Sequence, residues 1–312
     1  MTLAITFPGQ GSQVIGMGKA LSDASPAAKA VFEEVDEALG EKLSSVIWEG
    51  PEDTLTLTAN AQPALMAVSI AAMRLLEEKG FLISKASHVA GHSLGEYTAL
   101  CAAGTFSLSD TAKLLRIRGN AMQAAVPAGE GAMAAIIGLE QADVEAICSE
   151  AAADGCCQIA NDNGGGQLVI SGARGPVEKA AELAQEKGAK RAVLLPVSAP
   201  FHSALMEPAA RAMEEALGEV QMNAPAVPLV ANVLAKATSD PDEIRNRLVE
   251  QVTGQVRWRE SVEWMGTNGV TALLEVGSGK VLCGLARRIN RDLATAAVGT
   301  PEDIDKALEL AG

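Results

Sequence analysis

At 312 residues the chain is about twice an ordinary domain length, so two domains or one large domain with an insertion both fit, around a substantial core. Hydrophobic residues make up 48% but aromatics only 3%, so the core must be built from Ala, Val, Leu, Ile and Met, a mixture suited to helix-dense α/β packing. The net charge of −14 excludes a general nucleic-acid binder and requires any anionic substrate to be met by locally placed arginines.

Leu3 to Phe7 reads as a buried first strand. With no basic segment followed by an apolar one ahead of it, no signal peptide is expected. The loop from Pro8 to Gly18 is glycine-rich, yet G-x-G-x-x-G would need glycine where Val14 or Leu21 stands, so a dinucleotide loop is rejected. Ser25 and Pro26 start a helix over 27–39, and a long apolar helix over 61–79 stops at Gly80. Its stretch from Ala61 to Leu76 is interrupted by Gln62 and Arg74 and is too short to span a bilayer. A soluble, cytoplasmic protein is expected.

Val89 to Ala99 reads VAGHSLGEYTA, with Gly91 to Gly95 in the order G-x-S-x-G between a short apolar run and a helix over 96–103. That order predicts a nucleophile elbow at Ser93. Side chains at the two glycines would collide with the neighbouring strand and helix while the serine is held at a strained backbone angle. Backbone N–H groups at the start of the helix then face the place where an oxyanion develops. Ser109 is expected to cap a helix over 110–125, on which Arg118 shares the apolar stripe of Leu114, Leu115 and Met122 while Arg116 lies on the solvated side. An inward guanidinium is expensive unless it meets an anion.

From Pro127 the rhythm changes to strand 132–137, helix 141–153, strands 156–160 and 167–171, helix 176–187 and strand 192–195. This β-α-β-β-α-β order is ferredoxin-like. Residues 127–197 are therefore predicted to be a small domain inserted into a large one formed by 1–126 and 198–312. Pro196 to Pro208 makes a rigid crossing back. Helices over 203–217, 241–251 and 280–290 and strands over 227–231 and 271–276 follow. Gly277 to Lys280 imitates a phosphate loop but fails at Leu274 and Val281. The five cysteines, Cys101, Cys148, Cys156, Cys157 and Cys283, contain no C-x-x-C pair and are odd in number. Neither a disulfide framework nor a metal site is expected from them.

A serine hydroxyl needs a base, and histidine titrates in the right range. His92 adjoins Ser93 at a bend where side chains diverge, and His88 lies upstream, which leaves His202. No acid is singled out as a third member, and a backbone carbonyl could orient the imidazole instead.

Together the segments from Phe7 to Gln13, Gly91 to Tyr97, the Arg118 helix, Ile159 to Asn163 with Gln167 to Gly172, Val197 to His202, and Gln251 with Val256 to Trp258 resemble the malonyl-CoA:acyl carrier protein transacylases over essentially the full length. The resemblance implies an α/β-hydrolase-like large domain carrying the ferredoxin-like insertion. It implies that Ser93 and His202 are catalytic, with the Gln251 carbonyl orienting His202, and that Gln10 and Leu94 supply oxyanion-hole N–H groups. Arg118 would hold the malonyl carboxylate and Phe201 would favour malonyl over branched units. Malonyl-CoA and acyl carrier protein are the implied partners of a monomer with no bound cofactor, in fatty acid or polyketide synthesis. Arg287, Arg288 and Arg291, with Lys187, Lys190 and Arg191, form either a carrier-docking surface or solvated helix ends. An esterase or thioesterase on the same elbow is the alternative.

Overall fold

The computed structural model describes residues 1–197 and 199–312. Its strands, in chain order, are β1 (Leu3–Phe7), β2 (His88–Gly91), β3 (Gly131–Ile137), β4 (Cys157–Asp162), β5 (Gln167–Ala173), β6 (Arg191–Leu194), β7 (Leu229–Ala231), β8 (Lys236–Thr238), β9 (Ala272–Val276) and β10 (Ala294–Val298). They form a mixed α/β fold with two sheets, one of six strands in the order β10-β9-β1-β2-β7-β8 and one of four in the order β4-β5-β3-β6.

In the larger sheet β10, β9, β1, β2 and β7 run parallel and β8 pairs antiparallel with β7. Parallel strands need cover on both faces, and side chains that alternate across the sheet supply it. On β1, Leu3, Ile5 and Phe7 join the cluster that contains the Thr58–Glu78 helix, whereas Ala4 joins Trp258, Val262 and Met265. Small alanines, Ala4 and Ala90, make room there for the bulky Trp258. The smaller sheet is antiparallel throughout. One face packs Ile136 and Ile170 against Ile147 and Val177 of its own helices, Gln141–Ala151 and Arg174–Glu186. From the same sheet Met133, Ala160 and Val169 join the main core. A seam ties the smaller sheet to the segment that enters the Trp258–Thr267 helix, which packs on the larger sheet: Val256 N–H donates to the Ala160 carbonyl at 2.8 Å, Asp162 N–H to the Val256 carbonyl at 3.0 Å, and Arg259 Nε meets Asp162 Oδ2 at 2.7 Å.

Most predicted elements stand within a few residues of their expected places. Ser25 accepts from Ala28 N–H and Pro26 opens its helix. Some differ for identifiable reasons. The Leu108–Ala124 helix is capped by Ser107, which accepts from Asp110 N–H, while Ser109 donates instead to Glu34. Ser203 turns its hydroxyl back to the Pro200 carbonyl at 2.7 Å, so a 3-10 turn at Ala204–Met206 precedes the Glu207–Glu219 helix. Strands β8 and β10 are too short to carry a period, whereas the Trp258–Thr267 helix, with Trp258, Ser261, Val262 and Met265 on one face, carries a helical period and stands in addition to the predicted elements. Ser198 of the predicted crossing lies outside the described residues. No helix among the described residues is long and apolar enough to cross a membrane.

Candidate active site

The site sits where neighbouring parallel strands end. Gln10 follows β1, Ser93 follows β2 and Asn232 follows β7, so residues far apart in the chain meet at one sheet edge, the carboxyl edge where open α/β sheets bind ligands. The turn at Ser93 has φ 56°, strained for a residue with a side chain. A Cβ on Gly91 would lie 1.9 Å from the Gly95 carbonyl, and one on Gly95 would lie 2.3 Å from the Phe7 oxygen. Both glycines are therefore demanded by the approach of helix to strand, as the pattern predicted.

Ser93 Oγ stands 2.7 Å from His202 Nε2, and His202 Nδ1 lies 2.8 Å from the Gln251 carbonyl. The carbonyl accepts from Nδ1–H, which leaves Nε2 the free lone pair that faces the serine. His202 itself has φ 56°, so both members of the pair are held on left-handed backbone. His92 diverges as expected, its Nε2 2.9 Å from Asn163 Oδ1. His88 packs edge-on against Trp264.

Arg118 is 1% exposed, on the inward stripe. Its Nη1 donates to Gln62 Oε1 at 2.8 Å, and its Nη2 to Gln251 Oε1 at 2.9 Å and to Ser93 Oγ at 3.1 Å. Those partners are all uncharged. The guanidinium also lies over the Tyr97 ring, 5.6 Å from its centre. Arg116 points the other way but is engaged by Asn60 and Glu41 rather than by solvent alone.

A cleft of about 360 Å³ opens over the pair, lined by Gln10, Ser93, Leu94, Arg118, Phe201 and His202. Met133, Asn161 and Leu195 of the smaller-sheet segment complete its far wall. Among the described residues the N–H groups of Gln10 and Leu94 have no hydrogen-bond partner, and both residues line the cleft. Gln251 is fully buried and sits behind the pair rather than on the cleft wall.

Residues 5–283 match the family described as the acyl transferase domain. This chain belongs to that family. It is 48% identical over 308 residues to a malonyl CoA-acyl carrier protein transacylase of Bacillus subtilis, covering 98% of this chain and 96% of the relative. The crystal structure of an acyl-carrier-protein-S-malonyltransferase from Bartonella henselae superposes with a TM-score of 0.98 at 66% identity, covering all of both chains (100% and 100%). A malonyl-transacylase in complex with a type II PKS acyl-carrier protein matches at 42% identity and TM-score 0.96 over 99% of each chain.

The electrostatics of this acyl transferase site follow from burial. His202 is pushed down to about 3 from 6.5, first by desolvation and then by the Arg118 charge, with the Gln251 carbonyl opposing. It is therefore neutral around pH 7, the state a general base needs. Burial likewise raises Glu96 from 4.5 to about 7, against hydrogen bonds from Gln251 and Asn232 and the charge of Arg118.

The sequence reading did not single out Gln62, Glu96 or Asn232. Asn232 ties the elbow down: its Oδ1 accepts from Ser93 N–H at 2.8 Å and its Nδ2 donates to the Gly91 carbonyl at 2.7 Å. A signal existed for Gln62, a polar residue in an otherwise apolar helix. None existed for Asn232, whose neighbours in the chain are ordinary.

Proposed function

We propose that the protein transfers a malonyl group from malonyl-CoA to the phosphopantetheine thiol of acyl carrier protein, in two half-reactions through a malonyl ester on Ser93. The observation that carries this reading is the buried Arg118 with its Nη2 3.1 Å from the serine oxygen and only uncharged hydrogen-bond partners. A buried cation whose direct hydrogen-bond partners are all neutral is matched to an acyl group that ends in a carboxylate.

In the first half, neutral His202 takes the Ser93 proton as the oxygen attacks the thioester carbon. The N–H groups of Gln10 and Leu94 receive the oxyanion. Collapse expels CoA, whose sulfur takes the proton from His202. In the second half the carrier thiol gives its proton to His202 and attacks the ester, and Ser93 recovers a proton as it leaves. The Gln251 carbonyl keeps His202 in one tautomer throughout. Arg118 fixes the malonyl carboxylate so that a tethered thiol, and not water, is well placed. Phe201, 9% exposed on the cleft wall, is the bulky side chain that favours malonyl over methyl-branched units.

We read residues 1–126 and 198–312 as an α/β-hydrolase-like large domain and 127–197 as a ferredoxin-like small domain inserted in it. The protein works as a cytoplasmic monomer without a bound cofactor, and fatty acid synthesis is its setting. A carrier from polyketide synthesis remains a second outlet, favoured by the relative solved with such a carrier. The exposed Arg287, Arg288 and Arg291 offer a basic approach for an acidic carrier in a chain of net charge −14.

Intact-protein mass after brief exposure to malonyl-CoA, acetyl-CoA or methylmalonyl-CoA tests the reading. One malonyl adduct lost on Ser93→Ala, and discharged by holo-carrier faster than by water, is expected. Rapid release to water without any thiol would establish a hydrolase instead.

A further inference from the structure

The transfer chemistry leaves unused a buried carboxyl that is hydrogen-bonded to Gln251 and Asn232. Glu96 opens the helix after the elbow and is 0% exposed. Its Oε2 accepts from Gln251 Nε2 at 2.8 Å and from Asn232 N–H at 3.2 Å, while Oε1 has no partner among the described residues. The two residues it anchors are the ones that hold the reactive groups. Gln251 Nε2 also donates to the Ser93 carbonyl at 2.9 Å, and its Oε1 accepts from Arg118 Nη2 at 2.9 Å.

A side-chain amide has a donor end and an acceptor end of nearly equal shape, so direction has to be imposed from outside. Turned by half a rotation, the Gln251 amide would set its NH2 against the Arg118 guanidinium and its oxygen against the Ser93 carbonyl. Two hydrogen bonds become two repulsions. Arg118 is the group to be positioned, and three acceptors surround Nε2: Glu96 Oε2 at 2.8 Å, the Ser93 carbonyl at 2.9 Å and Asn232 Oδ1 at 3.4 Å, of which Glu96 is the nearest. We propose that Glu96 is a positioning residue that sets the direction of the Gln251 side-chain amide and thereby holds Arg118 in register with Ser93. The consequence for malonyl selection rests on the transacylase reading, in which Arg118 meets the acyl carboxylate.

With Glu96 raised to about 7, both of its protonation states occur near neutrality. A proton carried on Oε1, the oxygen without a partner, leaves Oε2 an acceptor, so the direction survives in both. Glu96→Gln can reproduce this arrangement with its amide oxygen toward Gln251. Glu96→Ala cannot.

The test follows Ser93 acylation by quenched-flow mass spectrometry with malonyl-CoA and acetyl-CoA, alongside Ser93 labelling by a neutral fluorophosphonate. In E96A the malonyl rate should fall about 30-fold or more while the acetyl and phosphonate rates fall no more than about 5-fold, and E96Q should recover the malonyl-to-acetyl ratio to within about threefold. A purely structural role lowers all three rates together, in step with the folded fraction. Equal losses in E96A, or a ratio in E96Q as poor as in E96A, overturn the proposal. Should E96A not accumulate as folded protein, E96D decides: its shorter side chain cannot reach both partners, so a reduced ratio supports the proposal and an unchanged one overturns it. A wild-type protein that labels with phosphonate yet takes no malonyl group removes the transacylase reading. The positioning proposal is then decided by the acid limb of phosphonate labelling, which a displaced Arg118 should raise in E96A and not in E96Q, and coincident limbs overturn it.

Discussion

The two sheets solve different problems with the same chain. The six-stranded sheet is covered on both faces and ends in Gln10, Ser93 and Asn232, and behind that edge lies a network of buried polar groups whose geometry is over-determined. The four-stranded sheet keeps an apolar core of its own on one face and lends Met133 and Asn161 to the cleft wall on the other. Neither Ser93 nor His202 lies on it, although its Gln158 donates to the His202 carbonyl at 3.4 Å. The contrast separates what must be immobile from what only has to be shaped. Strained backbone at Ser93 and His202 persists only where contacts oppose its relaxation: the ends of the parallel strands supply them at Ser93, and the Gln251 carbonyl with Gln158 of the smaller sheet supplies them at His202. A wall that excludes water and fits an arm can be built on a smaller body seated by a few bonds.

That division can be broken most sharply at the reactive edge. Ser93→Ala and His202→Ala should each cut malonyl transfer by about 10³-fold or more, and the double variant should be little worse than either, since the pair acts as a unit. Label transfer to holo-carrier measures this. Multiplied losses in the double variant would mean the two side chains work separately.

Next in size is Arg118. Arg118→Ala should slow Ser93 malonylation by about 10²-fold and improve the relative rate with acetyl-CoA. Its charge also helps to hold His202 down, so the pH profile gives a second reading. In the wild type the acylation rate should show no acid limb at the ordinary histidine value of 6.5, because folded His202 resists its proton until about 3. Without Arg118 the limb should move up. The sign for stability follows from the same shift. Between 6.5 and about 3 the unfolded chain binds a proton that the folded chain refuses, so this group lowers stability as pH falls through that window. A wild-type limb near the ordinary value would show that His202 is not the buried base.

The smallest effect on chemistry should come from the seam. Arg259→Ala leaves the buried Asp162 carboxylate with the Gly164 N–H at 3.1 Å, and should cost about 1–3 kcal/mol in urea unfolding while transfer changes less than about threefold. If transfer falls as far as stability, the smaller sheet is part of the reactive frame and the division between the two sheets is wrong.

Several features of the site were legible before folding because they are local. G-x-S-x-G states a steric requirement of one turn, and three histidines left only one free to serve Ser93. Arg118 declared itself by falling on an apolar stripe. The strands and helices of the smaller sheet were legible because their order is regular over a contiguous stretch. Helix caps within a few candidate serines were less secure, as Ser107 and Ser109 show, since neighbouring hydroxyls compete for the same role and Glu34 decided between them from another helix.

By itself, then, the amino-acid order determined the elbow, the pairing of Ser93 with His202, and the inward arginine, all of which depend on periodicity, scarcity or a turn a few residues long. Only the tertiary structure decided which distant polar groups close the network: Asn232 over 139 residues to Ser93, Gln251 over 155 to Glu96, and Gln62 over 56 to Arg118. Hydrogen bonds reach about 3 Å, and nothing in the local sequence records which strand ends will be brought that close.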